Sequence, residues 1–289
     1  MKVYLNGKLV PVKQAKISVF DHGLLYGDGV FEGIRAYNGR VFMLEAHIDR
    51  LFRSAQAIVL KIPMAKSALV RAVVATCKAN RIMNGYIRLV VTRGVGTLGL
   101  NPYSCSKPQV IIIAGTIQLY SKELYDQGLK VVTAGSLRNH SESLSPSIKS
   151  LNYLNNIMAK LEAINSGVEE VVMLNPQGNV AEASGDNIFI FKGNQLLTPP
   201  ISAGALEGIT RDVVMDLARQ RGYDVREMTL TRYDLYTADE MFLTGTAAEI
   251  ISVVDMDRRV IGTGKPGLRT LELTAKFREF AGQSGTPIV

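Results

Sequence analysis

The stretch from Ile148 to Gly167 constrains this chain most. Leu151, Leu154, Met158, Leu161 and Ile164 recur at spacings of three and four, the pattern of an amphipathic helix with one buried stripe. Gly167 supplies the left-handed stop. The spacing predicts a helix over residues 150–166, with Lys149 just before its first apolar turn and Tyr153 one helical turn beyond that lysine. A lysine so placed can point into a cleft, lose solvation and act as an amine nucleophile or Schiff-base former. Taken alone, it reads more simply as a solvated surface group.

The chain before this stretch begins with a hairpin. Val3–Leu5 and Leu9–Val10 flank the turn Asn6-Gly7. Residues 21–37 then carry glycine at 23, 27, 29 and 33, a density that suits a tight loop approached closely by another group. No Gly-Lys-Ser/Thr follows, so this is not a P-loop. A helix is expected from Glu45 to Ala55, with Arg50 at the edge of its buried stripe and able to reach inward. A second helix is expected over 66–80. Tyr86 to Arg93 alternates as a strand with Tyr86, Arg88 and Val90 on one face. Facing inward, a Tyr-x-Arg pair is a carboxylate clamp; facing outward, it is an exposed strand surface. Gln109–Ala114 is a continuous apolar run and reads as a buried strand.

Periodicity is lost between Gly115 and Gly128 and restarts at Leu129. The expected division is therefore a first domain at 1–115, a linker at 116–128 and a second domain at 129–289. The second half alternates strands (170–174, 187–191, 240–243) with helices (150–166, about 211–221, about 267–281). The fold class is mixed α/β.

Bulk properties exclude several classes. An apolar content of 47% against 20% charged is that of a globular chain. No apolar run reaches 18 residues, and Met1–Lys8 has no signal-peptide core, so no membrane span or secretion is expected. Cys77 and Cys105 lack metal-ligand spacing and fit a reducing, cytoplasmic setting with no metal. The net charge of +7 is spread along the chain without a basic cluster, so no nucleic-acid partner is expected. A small anionic ligand accounts for it equally well.

Three features after Lys149 bear on chemistry. Glu182 stands just before the strand that opens at Asn187. Gly208-Ile209-Thr210-Arg211 opens a helix, and Gly245-Thr246-Ala247-Ala248-Glu249 closes a strand. The last two offer backbone N–H groups and hydroxyls, the ingredients of a phosphate site. An amine, a carboxylate and two phosphate cradles are what pyridoxal phosphate requires.

Lys-Ser-Leu-Asn-Tyr (149–153), Glu-Ala-Ser-Gly-Asp-Asn-Ile-Phe (182–189), Gly-Ile-Thr-Arg (208–211) and Gly-Thr-Ala-Ala-Glu (245–249) together resemble the class IV pyridoxal-phosphate aminotransferases. Tyr-Gly-Asp-Gly-Val-Phe-Glu-Gly-Ile-Arg (26–35), His-Ile-Asp-Arg-Leu (47–51) and Tyr-Ile-Arg (86–88) extend the likeness over nearly the whole chain, most closely to the branched-chain amino acid aminotransferases. The resemblance implies a fold type IV enzyme with pyridoxal 5′-phosphate at the domain interface. In it, Lys149 would form the covalent link to the cofactor and shuttle a proton between Cα and C4′. Tyr153 would bond the ring phenolate oxygen, and Glu182 would pair with the pyridine nitrogen. Arg50, Ile209, Thr210 and Thr246 would hold the phosphate, with Leu206 against the ring. Phe31, Gly33 and Tyr120 would shape the side-chain pocket. Tyr86 with the Thr246-Ala247-Ala248 turn would take the α-carboxylate. Arg88, with Tyr26 of a neighbouring subunit, would take the distal carboxylate of glutamate. Amino acids and 2-oxo acids would be the partners, and a homodimer or higher homo-oligomer the assembly.

The activity so implied is ping-pong transfer between L-Leu, L-Ile or L-Val and 2-oxoglutarate. Two features depart from the family pattern. Gly115–Tyr120 stands where many members carry Pro-Trp-Gly, and Glu207 sets an acid beside the phosphate loop. A D-amino-acid transaminase is the nearest alternative, since Arg93 resembles its carboxylate arginine, but Val95 stands where that enzyme has histidine. An aminodeoxychorismate lyase fits Tyr-Ile-Arg less well. A non-catalytic phosphate-ligand carrier would have no use for the lysine and the acid together.

Overall fold

The computed structural model describes residues 1–117 and 120–288; Gln118 and Leu119 of the expected linker, and Val289, lie outside the described residues. The chain forms two compact units. The first comprises Met1–Ile117, Ile148–Asn152 and Ala281–Val289, and the second Gln118–Ser147 and Tyr153–Phe280.

The first unit is built on a seven-stranded sheet. Its strands are β1 (Lys2–Leu5), β2 (Lys8–Pro11), β3 (Gly29–Tyr37), β4 (Arg40–Val41), β5 (Gly85–Thr92), β6 (Gln109–Gly115) and β16 (Thr286–Pro287), in the order β16-β4-β3-β5-β6-β1-β2. Asn6 and Gly7 both have positive φ, as a two-residue hairpin turn demands. Helices α2 (Leu44–Ala57) and α3 (Lys66–Ala79) contribute Leu44, Ile48, Leu51, Leu69 and Val73 to one core with Val30, Ile34, Ile87, Leu89 and Ile112 of the sheet. The short α1 (His22–Tyr26) is capped by Asp21, which accepts from Gly23 N–H, and lies in the glycine-rich stretch expected to be loop. β6 is buried on one face only: Ile113 is exposed, because the run of isoleucines alternates like any strand of an uncovered sheet.

The second unit holds a nine-stranded sheet. Its main path runs β12 (Asp224–Glu227), β11 (Gln195–Thr198), β10 (Asn187–Lys192), β13 (Glu240–Gly245), β14 (Glu249–Met256), β7 (Leu129–Thr133), β8 (Glu170–Leu174), β9 (Val180–Ala183), and β15 (Arg259–Val260) pairs with β14. Helices α4 (Lys122–Gln127), α5 (Leu154–Asn165), α6 (Ile209–Gln220) and α7 (Arg232–Tyr236) belong to it, as does α8 (Leu268–Gln283) as far as Phe280. β8 is buried along its whole length.

The structure corrects the reading of 148–167 in two ways. The helix starts at Leu154, and Ile148–Asn152 is an irregular segment docked on β3: Ser150 bridges Val30, and Phe31 N–H donates to the Lys149 carbonyl at 3.0 Å. Lys149 and Tyr153 are therefore not one helical turn apart. The buried face of α5 is also not the large apolar stripe. Asn156, Ala159 and Ala163 face the protein, with the two alanines against Ala134, Val171 and Met173, while Leu154 (68% exposed) and Ile164 (62%), together with Met158 and Leu161, face outward. Small side chains let the helix approach the sheet closely, so the stripe of small residues wins the buried side.

Candidate active site

The first unit gathers the lysine and the expected substrate residues around one strand pair. β3 and β5 run antiparallel with Phe31 opposite Val90, Gly33 opposite Arg88 and Arg35 opposite Tyr86. Opposed residues share a face, so Phe31, Gly33, Tyr86 and Arg88 stand together. Gly33 is glycine for a steric reason, since a Cβ there would collide with the Tyr86 hydroxyl. The Arg88 guanidinium lies 4.6 Å from the Phe31 ring centroid and 5.4 Å from that of Tyr86. Lys149 Nζ lies 4.7 Å from the same Phe31 ring. One aromatic ring thus carries two cations, a setting that favours a ligand with an apolar side chain and a carboxylate. The lysine backbone is fixed by its N–H to Ser54 Oγ at 3.1 Å and by the β3 bridge.

The opposite face of β3 carries Glu32, which the sequence reading passed over. Glu32 is fully buried and accepts from Arg50 Nε (2.8 Å), from Arg50 Nη2 (2.7 Å) and bonds His47 Nδ1 (2.7 Å). Burial alone would raise the Glu32 carboxyl, but Arg50 and His47 outweigh it and hold it down at about 2. Burial lowers the His47 pKa, with Arg50 and Lys149 adding to the effect against Glu32. The cluster is therefore an ionised pair beside a neutral imidazole. The signal for it was available: His47 and Arg50 are three apart on one helix face, and an acid sits inside the apolar run of β3.

Tyr26 is half-buried, edge-on to His22, with its hydroxyl donating to the Leu98 carbonyl at 2.5 Å. Arg93 is buried and committed to its own unit. Nε and Nη2 grip Asp28 (both 2.9 Å), and Nη1 and Nη2 donate to the carbonyls of Val59 and Ile58 beyond the end of α2.

The second unit gathers the expected cofactor residues. Glu182, in β9, is buried; its Oε1 accepts from Arg138 Nε at 2.9 Å and lies 2.8 Å from Arg138 Nη2, and its Oε2 accepts from Leu206 N–H at 2.9 Å. Leu206 is tied in turn by Asn187 Nδ2, which donates to its carbonyl at 2.9 Å. Gly208 is the N-cap of α6 and offers no side chain to the helix N-terminus, where Ile209 and Thr210 are buried. Uncapped N–H groups with a positive helix end and a threonine hydroxyl form an anion-binding terminus. Thr246, Ala247 and Ala248 make the turn between β13 and β14, with Tyr125 Oη donating to the Ala248 carbonyl at 2.9 Å. Thr244 stands opposite Asn187 in the sheet, and its buried hydroxyl has no partner among the described residues. Tyr153 caps the start of α5 and is half-buried. Tyr120 is buried, edge-on to Tyr125 at 6.2 Å, and burial raises its pKa. Glu207 is exposed.

Each unit holds groups of the kinds that pyridoxal phosphate requires. An amine and a buried cation stand in the first unit, while a buried carboxylate, an uncapped helix terminus and an orphaned hydroxyl stand in the second. Among the described residues no cluster of metal-ligating side chains occurs and no helix is long and apolar enough to cross a membrane.

Comparison with known proteins agrees. A family model described as amino-transferase class IV matches residues 29–256. A putative branched-chain-amino-acid aminotransferase of Methanocaldococcus jannaschii is 50% identical over 288 residues, covering 100% of this chain and 99% of that one. The crystal structure of the Escherichia coli branched-chain amino acid aminotransferase superposes with a TM-score of 0.95 at 33% identity, covering 98% of this chain and 95% of that one. The branched-chain amino acid aminotransferase of Thermobaculum terrenum, solved in its PLP-form, gives 0.89 at 32% identity, covering 97% and 94%.

Proposed function

The chain belongs to the class IV aminotransferases, and from that premise we propose that it transfers the amino group between L-branched-chain amino acids (Leu, Ile, Val) and 2-oxoglutarate by a ping-pong mechanism. It has the fold of type IV enzymes, and its cofactor is pyridoxal 5′-phosphate. The observation that carries the substrate assignment is the Phe31 ring with Lys149 Nζ on it and Arg88 beside it. An apolar wall accepts an aliphatic side chain, and one guanidinium accepts the distal carboxylate of glutamate in the other half-reaction.

Bound pyridoxal phosphate supplies an aldehyde and an electron-withdrawing ring. Lys149 Nζ would hold the cofactor until the substrate amine displaces it, and the freed amine would then take the proton from the substrate α-carbon as general base. Glu182 keeps a proton on the pyridine nitrogen, and Tyr153 bonds the phenolate oxygen. Arg50 and the α6 terminus at Ile209 and Thr210, with Thr246, hold the phosphate, and Leu206 packs on the ring. Tyr86 and the Thr246-Ala247-Ala248 turn bind the α-carboxylate, while Phe31, Gly33 and Tyr120 bound the side-chain pocket.

Arg93 supports L over D substrates. A carboxylate arginine must offer its fork to the ligand, whereas Arg93 spends Nε, Nη1 and Nη2 on Asp28, Val59 and Ile58. A homodimer is part of the same proposal. The exposed stripe of α5 and the exposed Leu24, Leu98 and Leu100 are apolar surfaces of the kind a second copy covers, and Tyr26 would then serve the neighbouring site. Free Cys77 and Cys105 suit the cytoplasm. Glutamate formation from L-leucine and 2-oxoglutarate, with parallel double-reciprocal lines, is the expected result; undetectable transfer by cofactor-loaded protein would overturn the proposal.

A further inference from the structure

We propose that Arg138 is a positioning residue for the cofactor: it pairs with Glu182 and fixes it so that the carboxylate is ready for the pyridine nitrogen. The inference rests on the assignment of Glu182 above, and Arg138 belongs to none of the motifs that carried that assignment.

Arg138 lies between β7 and α5 in sequence, on an irregular segment, yet it is buried and its three guanidinium nitrogens are all engaged. Nε and Nη2 converge on one oxygen of Glu182, Oε1. Nη1 donates to Asn155 Oδ1 at 3.0 Å and Asn156 Oδ1 at 3.2 Å, both in the first turn of α5. Those amides are themselves fixed, because Asn155 Nδ2 donates to the Leu137 carbonyl at 2.8 Å and Asn156 Nδ2 to the Ser184 carbonyl at 2.7 Å. The Arg138 N–H donates to the Leu174 carbonyl at 2.8 Å. Turning the guanidinium away would break its bonds to both asparagines of α5.

Two consequences follow from charge and geometry. A buried carboxylate with no counter-ion takes up a proton, and a neutral carboxylic acid cannot balance a pyridinium. Arg138 supplies the counter-ion before the cofactor arrives. By holding Oε1 from one side while Leu206 N–H holds Oε2, it also fixes the plane in which the carboxylate meets the ring. Arg138 touches Glu182, not the substrate.

The test is a pyridoxal phosphate titration, read by visible absorbance, of protein stripped of carried cofactor. Wild type, Arg138→Lys, Arg138→Met, Glu182→Gln and the Arg138→Met/Glu182→Gln double variant are compared across pH, with thermal melts alongside. Arg138→Met is expected to weaken cofactor binding about 10- to 100-fold, and Arg138→Lys to restore part of it. The double variant should bind about as weakly as Glu182→Gln alone, since Arg138 acts through that carboxylate. Wild-type affinity in Arg138→Met at every pH, or losses that simply multiply in the double variant, would overturn the inference while leaving the cofactor assignment intact. Wild-type protein that takes up no pyridoxal phosphate would instead overturn the assignment, and this inference with it.

Discussion

Each unit buries an arginine–glutamate pair, and the proposed function uses the two pairs in opposite senses. In the first, the acid Glu32 is the anchor, gripping Arg50 through two nitrogens with His47 alongside. In the second, the base Arg138 is the anchor and Glu182 is the group presented. Burying an unpaired ion is costly, so each buried charge must be supplied with a counter-ion. The anchors differ in support. Arg138 is braced by two asparagine side chains from α5, whereas Glu32 is braced by the residues that it serves and by its place in β3.

That contrast can be broken by neutralising each glutamate. Glu182→Gln should reduce turnover by roughly 10²–10³-fold, because it removes the group expected to hold the ring proton. Glu32→Gln should act chiefly on stability, costing about 3–5 kcal/mol in urea unfolding, because it strands a buried guanidinium. A turnover loss in Glu32→Gln as large as that in Glu182→Gln would show that the pairs are not used differently.

Neighbouring positions on β3 sharpen it further. Glu32 faces the ionic cluster, whereas Gly33 faces Tyr86. Gly33→Ala should therefore spare the cluster and displace Tyr86, costing about 1–3 kcal/mol in kcat/KM for L-leucine. A fall in stability with unchanged kinetics would contradict this.

The pH dependence of stability has a definite sign. Glu32 is depressed from 4.5 to about 2, so its contribution is present above pH 4.5 and lost as pH falls toward 2. His47 is depressed below its ordinary 6.5, so the unfolded chain binds the extra proton first and stability falls as pH drops below 6.5. Thermal melts should fall on acidification in both windows, and His47→Gln should flatten the upper one. The smallest effect is expected at Glu207: it is exposed, and Glu207→Gln should change stability by less than about 0.5 kcal/mol. A large gain in cofactor affinity would show that its charge reaches the α6 terminus.

Much of this architecture was legible in the sequence where periodicity is local. α2 with Arg50 turned inward, α3, and the Tyr86-Arg88-Val90 face of β5 all stand where spacing put them. What alternation could not supply was which side of β5 lies against the core. α5 misled because it carries two stripes, and hydrophobicity favours Leu154 and Ile164 whereas close packing favours Ala159 and Ala163. Lys149 misled because an irregular segment docked on β3 leaves no local signature. The anchors Glu32 and Arg138 were passed over for different reasons. Glu32 had the clue of an acid inside an apolar strand, but Arg138 meets Glu182 only through a contact 44 residues apart, which no spacing encodes.

The most direct test of the central claim is the visible spectrum of cofactor-loaded protein before and after addition of L-leucine without an acceptor. The visible band should fall as the amino group passes to the cofactor, with about one equivalent of the branched 2-oxo acid released per site, and it should return on adding 2-oxoglutarate. A spectrum that ignores L-leucine, or responds to D-leucine alone, would contradict the account.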